Sequence, residues 1–444
     1  MCEWDDFPDR EALMRNQLLD QRHEPIPPFL LLSEPGITAR EQRACSEIWM
    51  QKRLSTAVAE RERLAFRFPP GDNERIKLGY LSNDFQEHAT ALLLVETLEA
   101  HDRSCFEIHA YSYGKDDGKE TRRRLTRAFH QFHDISSRSD AEAARKINED
   151  GIHILIDLKG FTQNTRTSIL ALRPAPLQVN YLGYPGTLGP GLCDYIISDS
   201  FVTPESAAAD YAEALALLPH SYQPHGRRAP IGPMPERASV GLPEEGFIFC
   251  CFNQAFKFTP DIFDVWCRLL DAVPGSVLWL LSSSVAEGNL RNEALRRGIC
   301  GSRLIFAPDL PQTQHLGRLQ LADLVLDTAP YGAHTTASDA LWAGVPMVTR
   351  PGETFASRVG GSLLSAIKLP ELIVDREDDY FDLAHALASN PSSLEKLRRK
   401  LAFNRMTTPL FDTEAYTAAL ESLYLEMWSR YRAGSPLTTL RSPA

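Results

Sequence analysis

The sequence predicts an α/β protein with two doubly wound lobes, preceded by a helical lead-in. Two series of apolar strands alternating with helices predict the lobes, one starting at Ile76 and the other at Phe247. Such alternation is typical of parallel sheets covered by helices on both faces. Between the series lies a stretch rich in proline and polar residues, 219–245, which we interpret as a linker.

Residues 1–74 form the predicted lead-in. The segments REALMRNQLLDQR and EQRACSEIWMQKRLSTAVAERERLAF have helical patterns, and PIPPFLLLSEPG separates them. No internal repeat is visible there or elsewhere in the chain.

The lobes are predicted at 75–218 and 246–408. Strands of the first are IKLGYLS, FEIHAYSYG, HILIDLKG, LQVNYLGYPG and DYIISDS, and those of the second are FIFCCFN, SVLWLLSS, RLIFAPD and LVLDTAP. Ligands of doubly wound sheets bind beyond the carboxyl ends of the strands, so we expect a substrate in the cleft between the lobes. The last segment, 409–444, predicts a long aromatic helix that packs back across both lobes.

Composition excludes several classes of protein. The chain has 444 residues, of which 43% are apolar, and a net charge of −11, which argues against a general nucleic-acid or membrane-surface binder. Eight cysteines lack CxxC or metal-ligand spacing, which favours a reducing compartment. The N-terminus MCEWDDFPDR is acidic, and no apolar run is long enough to cross a membrane. We therefore predict a cytoplasmic protein without a membrane anchor.

The most informative stretch is ADLVLDTAPYGAHTTASDALWAGVPMVTRPGETFASR. A buried strand at 324–326 and the turn PYGA bring His334, Thr335 and Thr336 to a helix start, where unpaired N–H groups and the helix dipole favour a phosphate. Asp339 follows one turn later and suits sugar hydroxyls. The alternative is that the threonines only cap a helix.

Two further loops follow predicted strands. His88 precedes an apolar helix at the end of the first strand, where a neutral imidazole could take a proton from a hydroxyl. It could equally satisfy N–H groups at the helix start. In CCFNQAFKFTP, the Gln254 amide could donate to a phosphate and the Lys257 ammonium could neutralise a leaving group. The alternative is an ordinary solvated lysine.

The remaining loop signals are weaker. His315 follows the strand RLIFAPD and could lie flat against a nucleobase, with Arg318 available to the carbonyl edge of the base. The loop LGYPGTLGPG suits close backbone approach but lacks GxGxxG spacing. The sequence has no Asp-x-Asp pair and no GxxxxGK[ST] loop. Lys257 and helix N–H groups would therefore have to neutralise a pyrophosphate without a metal.

Taken together, these motifs closely resemble the catalytic region of the O-linked N-acetylglucosamine transferase family, which modifies Ser and Thr of intracellular proteins. The resemblance covers nearly the whole chain, including CEWDD, GYLSNDFQEHAT, LRPAP, LGYPGT, FNQAFKFTP and the HTT stretch. It implies an inverting glycosyltransferase of the two-lobed GT-B type that uses UDP-N-acetylglucosamine (UDP-GlcNAc) without a metal or other cofactor.

The resemblance also implies roles for individual residues. His88 and His153 would be cleft histidines of the first lobe, and His88 matches a proposed catalytic base. The diphosphate would contact Gln254, Lys257, His334, Thr335 and Thr336, the ribose Asp339, and the uracil His315 and Arg318. We assign the loop residues Leu182, Gly183, Pro185, Gly186 and Thr187 to the same UDP-sugar site.

Some features depart from the family. Better known members carry a lysine at the position of Gln312, and no tetratricopeptide array precedes the predicted lobes here. The linker is also too short for the extra domain of animal members. Three alternatives therefore stay open: a UDP-glucose-dependent asparagine glucosyltransferase, a non-catalytic UDP-sugar binding module, and a sugar-nucleotide epimerase. The acceptor proteins and the oligomeric state are not predicted.

Overall fold

All strand pairs of the described residues are parallel, and they form two sheets. The computed structural model describes residues 1–5, 7–20, 24–68, 75–227 and 229–443. One sheet has eight strands in the order β13-β7-β6-β5-β4-β1-β2-β3, and the other has five in the order β10-β9-β8-β11-β12, numbered along the chain. The predicted class, α/β with two doubly wound parallel sheets, is confirmed.

The strands of the eight-stranded sheet are β1 (Ile76–Ser82), β2 (Phe106–Ser112), β3 (Gln131–Asp134), β4 (Ile154–Asp157), β5 (Leu177–Asn180), β6 (Tyr195–Asp199), β7 (Ala214–Leu218) and β13 (Leu440–Arg441). Its unit also contains α2 (Ala39–Arg53), α3 (Ser55–Leu64), α4 (Ala89–Ala100), α5 (Glu120–Ala128), α6 (Asp140–Glu149), α7 (Thr167–Ala171) and α15 (Thr413–Arg432). Every residue of β4 and β5 is buried, as expected for strands covered on both faces.

The strands of the five-stranded sheet are β8 (Ile248–Cys251), β9 (Val277–Leu281), β10 (Leu304–Ala307), β11 (Leu324–Leu326) and β12 (Met347–Val348). Its helices are α8 (Pro260–Ala272), α9 (Glu287–Arg296), α10 (Gln312–Leu319), α11 (Thr335–Ala343), α12 (Phe355–Ala366), α13 (Glu377–Ser389) and α14 (Pro391–Thr407). Local sequence sets several helix ends. Thr259 caps α8 by accepting from Ile262 N, and Gly344, with φ of 89°, ends α11.

The two compact units are discontinuous in sequence. One comprises residues 14–31, 37–226 and 412–444, and the other comprises 1–13, 32–36 and 227–411. Helix α1 (Phe7–Leu19) therefore starts in the second unit and ends in the first. The predicted lead-in, 1–74, and the predicted linker, 219–245, are both divided between the units.

Segments near both ends of the chain each pack within one of the two units. Trp4 packs against Phe263 of α8, with 5.4 Å between ring centroids. Helix α15 belongs to the unit of the eight-stranded sheet and packs against α4, β5 and β7. None of the described helices is long and apolar enough to cross a membrane.

Candidate functional site

The loop between β11 and α11 is held by one buried carboxylate. Asp327 directly follows β11 and is 2% exposed. It accepts hydrogen bonds from Thr328 N at 2.7 Å, from Ala333 N at 2.6 Å and from the Thr349 hydroxyl at 2.6 Å. These bonds fix both ends of the loop, so the start of α11 has a defined position at the carboxyl end of β11.

Helix α11 starts without a capping side chain. His334 occupies the N-cap position, and Thr335 and Thr336 are the first two helical residues, both half-buried. The threonines therefore do not cap the helix, and Thr336 instead donates to the amide oxygen of Asn253. A helix start of this kind presents N–H groups and the positive end of the helix dipole to an anion.

The His334 ring is neutral and oriented. Its Nε2 lies 3.1 Å from Ala356 O, and because a carbonyl only accepts, Nε2 carries the proton. Burial and the charge of Lys257 together lower the pKa of His334 to about 3, against the opposing hydrogen bond with Ala356 O. In the neutral ring Nδ1 is consequently an acceptor throughout the physiological pH range.

Lys257 is buried, so the alternative of an ordinary solvated lysine is wrong. Its side chain is 8% exposed, and its Nζ donates to Gly332 O at 2.8 Å and lies 3.8 Å from the centroid of the Tyr331 ring. Burial lowers the pKa of Lys257 to about 8, against the opposing effect of the Asp327 charge. The ammonium group is thus held next to the loop that leads into α11. Gln254 is exposed, at the start of the short 3₁₀ turn that carries Lys257.

His315 and Arg318 form a pair on α10. The Arg318 guanidinium donates to His315 Nδ1 at 2.9 Å and to Pro308 O, and it packs over the Phe252 ring at 4.6 Å. Arginine only donates, so the neutral His315 ring carries its proton on Nε2. Arg318 is 1% exposed, which contradicts the prediction that it is available to a nucleobase. It positions His315 instead.

A small pocket brings two predicted residues of this unit together, His315 and Thr336. It is lined by Cys250, Cys251, Phe252, Asn253, His315, Leu319, Val325, Ala333 and Thr336. His315 of α10 thus faces the same space as Thr336 of α11. Asp339, one turn further along α11 and 7% exposed, acts on His315 through its charge. Burial lowers the pKa of His315, and Asp339 opposes that shift.

His88 stands at the carboxyl end of β1 and begins α4. Its Nδ1 accepts from Thr90 N at 3.3 Å, so it does satisfy a helix-start group, and its side chain is 44% exposed. The same nitrogen lies 3.5 Å from Asp84 Oδ2, and that carboxylate pairs with Lys159 at 2.8 Å. Burial lowers the pKa of His88, with Asp84 opposing. Because Nδ1 accepts, the neutral ring carries its proton on Nε2, and Nδ1 is its basic nitrogen.

His153 lies at the amino ends of the strands of the same sheet, opposite to the end where His88 lies. It precedes β4, its Nδ1 accepts from Lys77 N at 3.1 Å, and its ring stacks on Trp428 at 4.3 Å. Lys77 is near the start of β1, whereas His88 follows the end of β1. His153 therefore does not lie at the carboxyl ends of the strands, where a cleft histidine was expected. Burial lowers the pKa of His153 to about 4.

The glycine-rich loop after β5 packs closely against neighbouring residues of its unit. A Cβ added to Gly183 would lie 1.9 Å from Leu158 O, and Leu182 has φ of 68°. Pro185, Gly186 and Thr187 are buried. Since the Thr187 hydroxyl donates to Glu213 at 2.6 Å, it is not available to a donor sugar, which corrects that prediction.

The model of glycosyl transferase family 41 matches residues 1–226 and 226–420. The chain belongs to glycosyl transferase family 41. It is 36% identical to the probable UDP-N-acetylglucosamine–peptide N-acetylglucosaminyltransferase SEC of Arabidopsis thaliana, with 98% of this chain and 46% of that protein covered. For the UDP-N-acetylglucosamine–peptide N-acetylglucosaminyltransferase of Caenorhabditis elegans the identity is 29%, with 98% and 49% covered.

The family 41 chain thus spans about half the length of these curated relatives. Among solved structures, it resembles a mutant O-GlcNAc transferase of Thermobaculum terrenum, with a TM-score of 0.75, 26% identity, and 98% of this chain and 90% of that chain covered. Sucrose-phosphate synthase of Thermosynechococcus elongatus matches with a TM-score of 0.54 and 14% identity, over 80% of this chain and all of that one (100%), which shows the fold alone. The fold is of the GT-B type.

Sequence reasoning missed two residues of this candidate site. Asn253 donates to the Thr328 hydroxyl at 2.8 Å and accepts from Thr336, so it links the end of β8 to the start of α11. Asp327 holds the loop before α11. Each is a polar residue one or two positions after a buried strand, which is the signal that could have identified both.

Proposed function

We propose that this chain transfers N-acetylglucosamine from UDP-GlcNAc to Ser and Thr hydroxyls of proteins, with inversion and without a metal ion. Membership of family 41 and the names of its relatives support the donor and the acceptor class. The supporting observation within the structure is the buried Lys257 ammonium beside the uncapped start of α11.

The diphosphate is the part of the donor that this geometry suits best. One ammonium group and the N–H groups at the start of α11 would neutralise its negative charge, which a metal ion does in other nucleotide-sugar sites. Gln254, exposed just before Lys257, would donate to a phosphate oxygen. Nδ1 of the neutral His334 ring accepts only, so it would receive a hydrogen bond from a sugar hydroxyl of the donor and would not contact a phosphate oxygen.

The nucleoside would occupy the α10 side of the same site. His315, held through Nδ1 by Arg318, would present its ring and its Nε2 proton to the uracil. Asp339 would accept hydrogen bonds from the ribose hydroxyls. Gln312, the first residue of α10, is half-buried beside this position and would influence the choice of nucleotide.

In the proposed reaction, the acceptor oxygen attacks the anomeric carbon while the bond from that carbon to the phosphate oxygen breaks. UDP leaves with the electron pair, and Lys257 with the α11 N–H groups stabilises its charge. His88 would take the acceptor proton on Nδ1, its unprotonated nitrogen, and would give up the bond from Thr90 N as it does so. We place the reaction in the cytoplasm, a proposal supported by eight cysteines that are all free.

The test is incubation of the purified chain with radiolabelled UDP-GlcNAc and a cell lysate, with and without EDTA. We expect labelled proteins in both cases, and mass analysis of peptides should find N-acetylhexosamine on Ser or Thr. Hexose on Asn, labelled free sugar nucleotides only, or UDP binding without transfer would each contradict the proposal.

Lys257→Ala should reduce labelling by about a hundredfold or more, because removing one electrostatic donor to a leaving group commonly costs that much. The matched control is Lys396→Ala, which removes an exposed lysine of α14 from the same unit. Near-normal transfer by the Lys257 variant would refute its assignment.

A further inference from the structure

Two histidines and a carboxylate converge in the unit of the eight-stranded sheet. His109 is on β2, His133 is on the edge strand β3, and Asp150 follows the last residue of α6. One nitrogen of each ring and one oxygen of the carboxylate all lie within 4.8 Å of one another. None of these residues belongs to the proposed transfer site.

His109 has a buried nitrogen that lacks a hydrogen-bond partner among the described residues. The side chain is 4% exposed, and its Nε2 lies 2.9 Å from Glu107 Oε1. A carboxylate accepts, so the proton of the neutral ring is on Nε2 and Nδ1 carries a lone pair. Within the described part of the chain, Nδ1 has no donor. Buried polar atoms without partners are rare in native proteins and call for an explanation.

The other two groups are oriented toward the same point. Nε2 of His133 is also buried without a hydrogen-bond partner in the described residues, and it lies 3.4 Å from Asp150 Oδ2. The His133 ring stacks on Tyr111 with 5.1 Å between centroids. Tyr111 donates its hydroxyl to Asp150 at 2.7 Å, and Lys146 pairs with the other oxygen of that carboxylate. The three side chains are therefore fixed by their neighbours.

We propose that His109 Nδ1, His133 Nε2 and the Asp150 carboxylate bind a zinc ion, with water as the fourth ligand. Imidazole nitrogens combined with one carboxylate are typical zinc ligands. Glu107 would act as the carboxylate that receives the other ring proton of a ligating histidine and fixes its orientation.

The required adjustment is small. Ligand atoms around a tetrahedral zinc ion with bonds of about 2.0–2.1 Å lie about 3.3 Å apart, so the three groups would move together by roughly 1 Å. The ion would connect β2, the edge strand β3 and the end of α6. It would be structural in its effect on this unit, because it stabilises only the folded chain.

The site can be tested on the full chain prepared without a histidine tag. After treatment with EDTA, the protein is titrated with Zn²⁺, and bound metal per chain and the unfolding temperature are measured. We expect one bound ion per chain and a higher unfolding temperature. Co²⁺ in its place should give the visible absorption of a four-coordinate site.

Three variants locate the ion. His133→Ala should lose it, and Glu107→Gln, which removes the orienting carboxylate, should weaken zinc binding about 10-fold to 100-fold. The control His385→Ala, a histidine of α13 in the other unit, should bind as the wild type does. If His133→Ala does not fold, the Glu107→Gln titration decides.

The proposal is overturned if the wild-type chain binds no zinc at micromolar concentrations, or if His133→Ala or Glu107→Gln binds it as tightly as the wild type. UDP binding, measured in the same preparations, reports separately on the proposed transferase site. Its loss or retention leaves the zinc result unchanged.

Discussion

Lys257 illustrates how burial changes the chemistry of a single residue. A lysine in water has a pKa of 10.5, whereas burial lowers the pKa of Lys257 to about 8. A bound diphosphate would favour the charged form again and raise this pKa. Without a bound diphosphate, Lys257 therefore loses its positive charge near pH 8.

UDP affinity should fall as the pH rises above about 8. Above its pKa the free lysine is neutral and must take up a proton to pair with the phosphate, which costs up to about tenfold in affinity per pH unit. Calorimetric titration with UDP from about pH 6.5 to about pH 9.5 measures this fall in affinity. Lys257→Met, which keeps the packing on Tyr331, should bind UDP weakly at every pH. A wild-type affinity that is flat across this range would contradict the prediction.

Glu213 should make the stability of its unit depend on pH. Burial raises the pKa of Glu213 to about 6, despite hydrogen bonds from Thr187 and Leu188. The folded chain therefore holds this proton more tightly than the unfolded chain, whose value is near 4.5. The free energy of unfolding therefore falls by about 2 kcal/mol as the pH rises from 4.5 to about 6.

Urea unfolding of the wild type and of Glu213→Gln at pH 4.5 and pH 7 tests this prediction. The glutamine variant should lack that part of the pH dependence, whereas the dependence due to the other buried carboxylates should remain. Equal pH dependence of the two proteins would exclude Glu213 as its source.

Lys257 and the HTT segment could be singled out from the sequence because polar residues in the loops that follow apolar strands stand out. The hydrogen bond from Arg318 to His315 could not be predicted, because it depends on the rotamers of two side chains one turn apart. His153 was predicted only from the family resemblance. Its position before its strand already indicated that it lies at the amino ends of the strands.

At the scale of elements, the loop between β11 and α11 depends on Asp327. Asp327→Ala should destabilise its unit by about 1–3 kcal/mol for each of the two buried N–H groups that lose their acceptor. It should also weaken UDP binding, since the start of α11 is no longer fixed. Thermal unfolding and UDP titration measure the two effects.

Thr349→Val is the matched control for the Asp327 variant. It removes only the hydroxyl that donates to Asp327 Oδ2, so we expect a loss of about 1 kcal/mol and nearly normal UDP binding. If the two variants behaved alike, the backbone bonds of Asp327 would not be what positions α11.

The strand and helix alternation was predictable because parallel strands are short apolar runs bounded by turn residues. Helix α11 begins and ends where its threonines and Gly344 indicate. Strand β7 was missed, since its sequence ALALL favours a helix by propensity and becomes a strand only through pairing with β6. The break at Leu54 between α2 and α3 likewise has no proline or glycine to announce it.

At the scale of the whole molecule, α15 completes the unit of the eight-stranded sheet. Leu420, Leu423, Tyr424 and Met427 are each at most 1% exposed. Glu421 pairs with His101 at 2.8 Å, and Tyr416 contacts the Tyr181 hydroxyl at 2.5 Å. Burial of four such side chains contributes roughly 6–12 kcal/mol, which is comparable to the net stability of a domain.

A chain that ends at Phe411 should therefore fail to fold its eight-stranded sheet. Limited proteolysis should cleave it rapidly within residues 75–226, whereas a chain ending at Thr438, which keeps α15 and loses only β13, should resist. Equal resistance of the two truncated chains would mean that α15 is dispensable.

The discontinuous units also affect how the protein is made in the cell. A ribosome synthesises the chain from its N-terminus, so the eight-stranded sheet emerges well before residues 412–444, which belong to its unit. The other unit begins with residues 1–13 and must keep them accessible until residues 227–411 have been translated. Both units therefore stay incomplete until late in translation, the one with the five-stranded sheet until residue 411 and the one with the eight-stranded sheet until the segment 412–444.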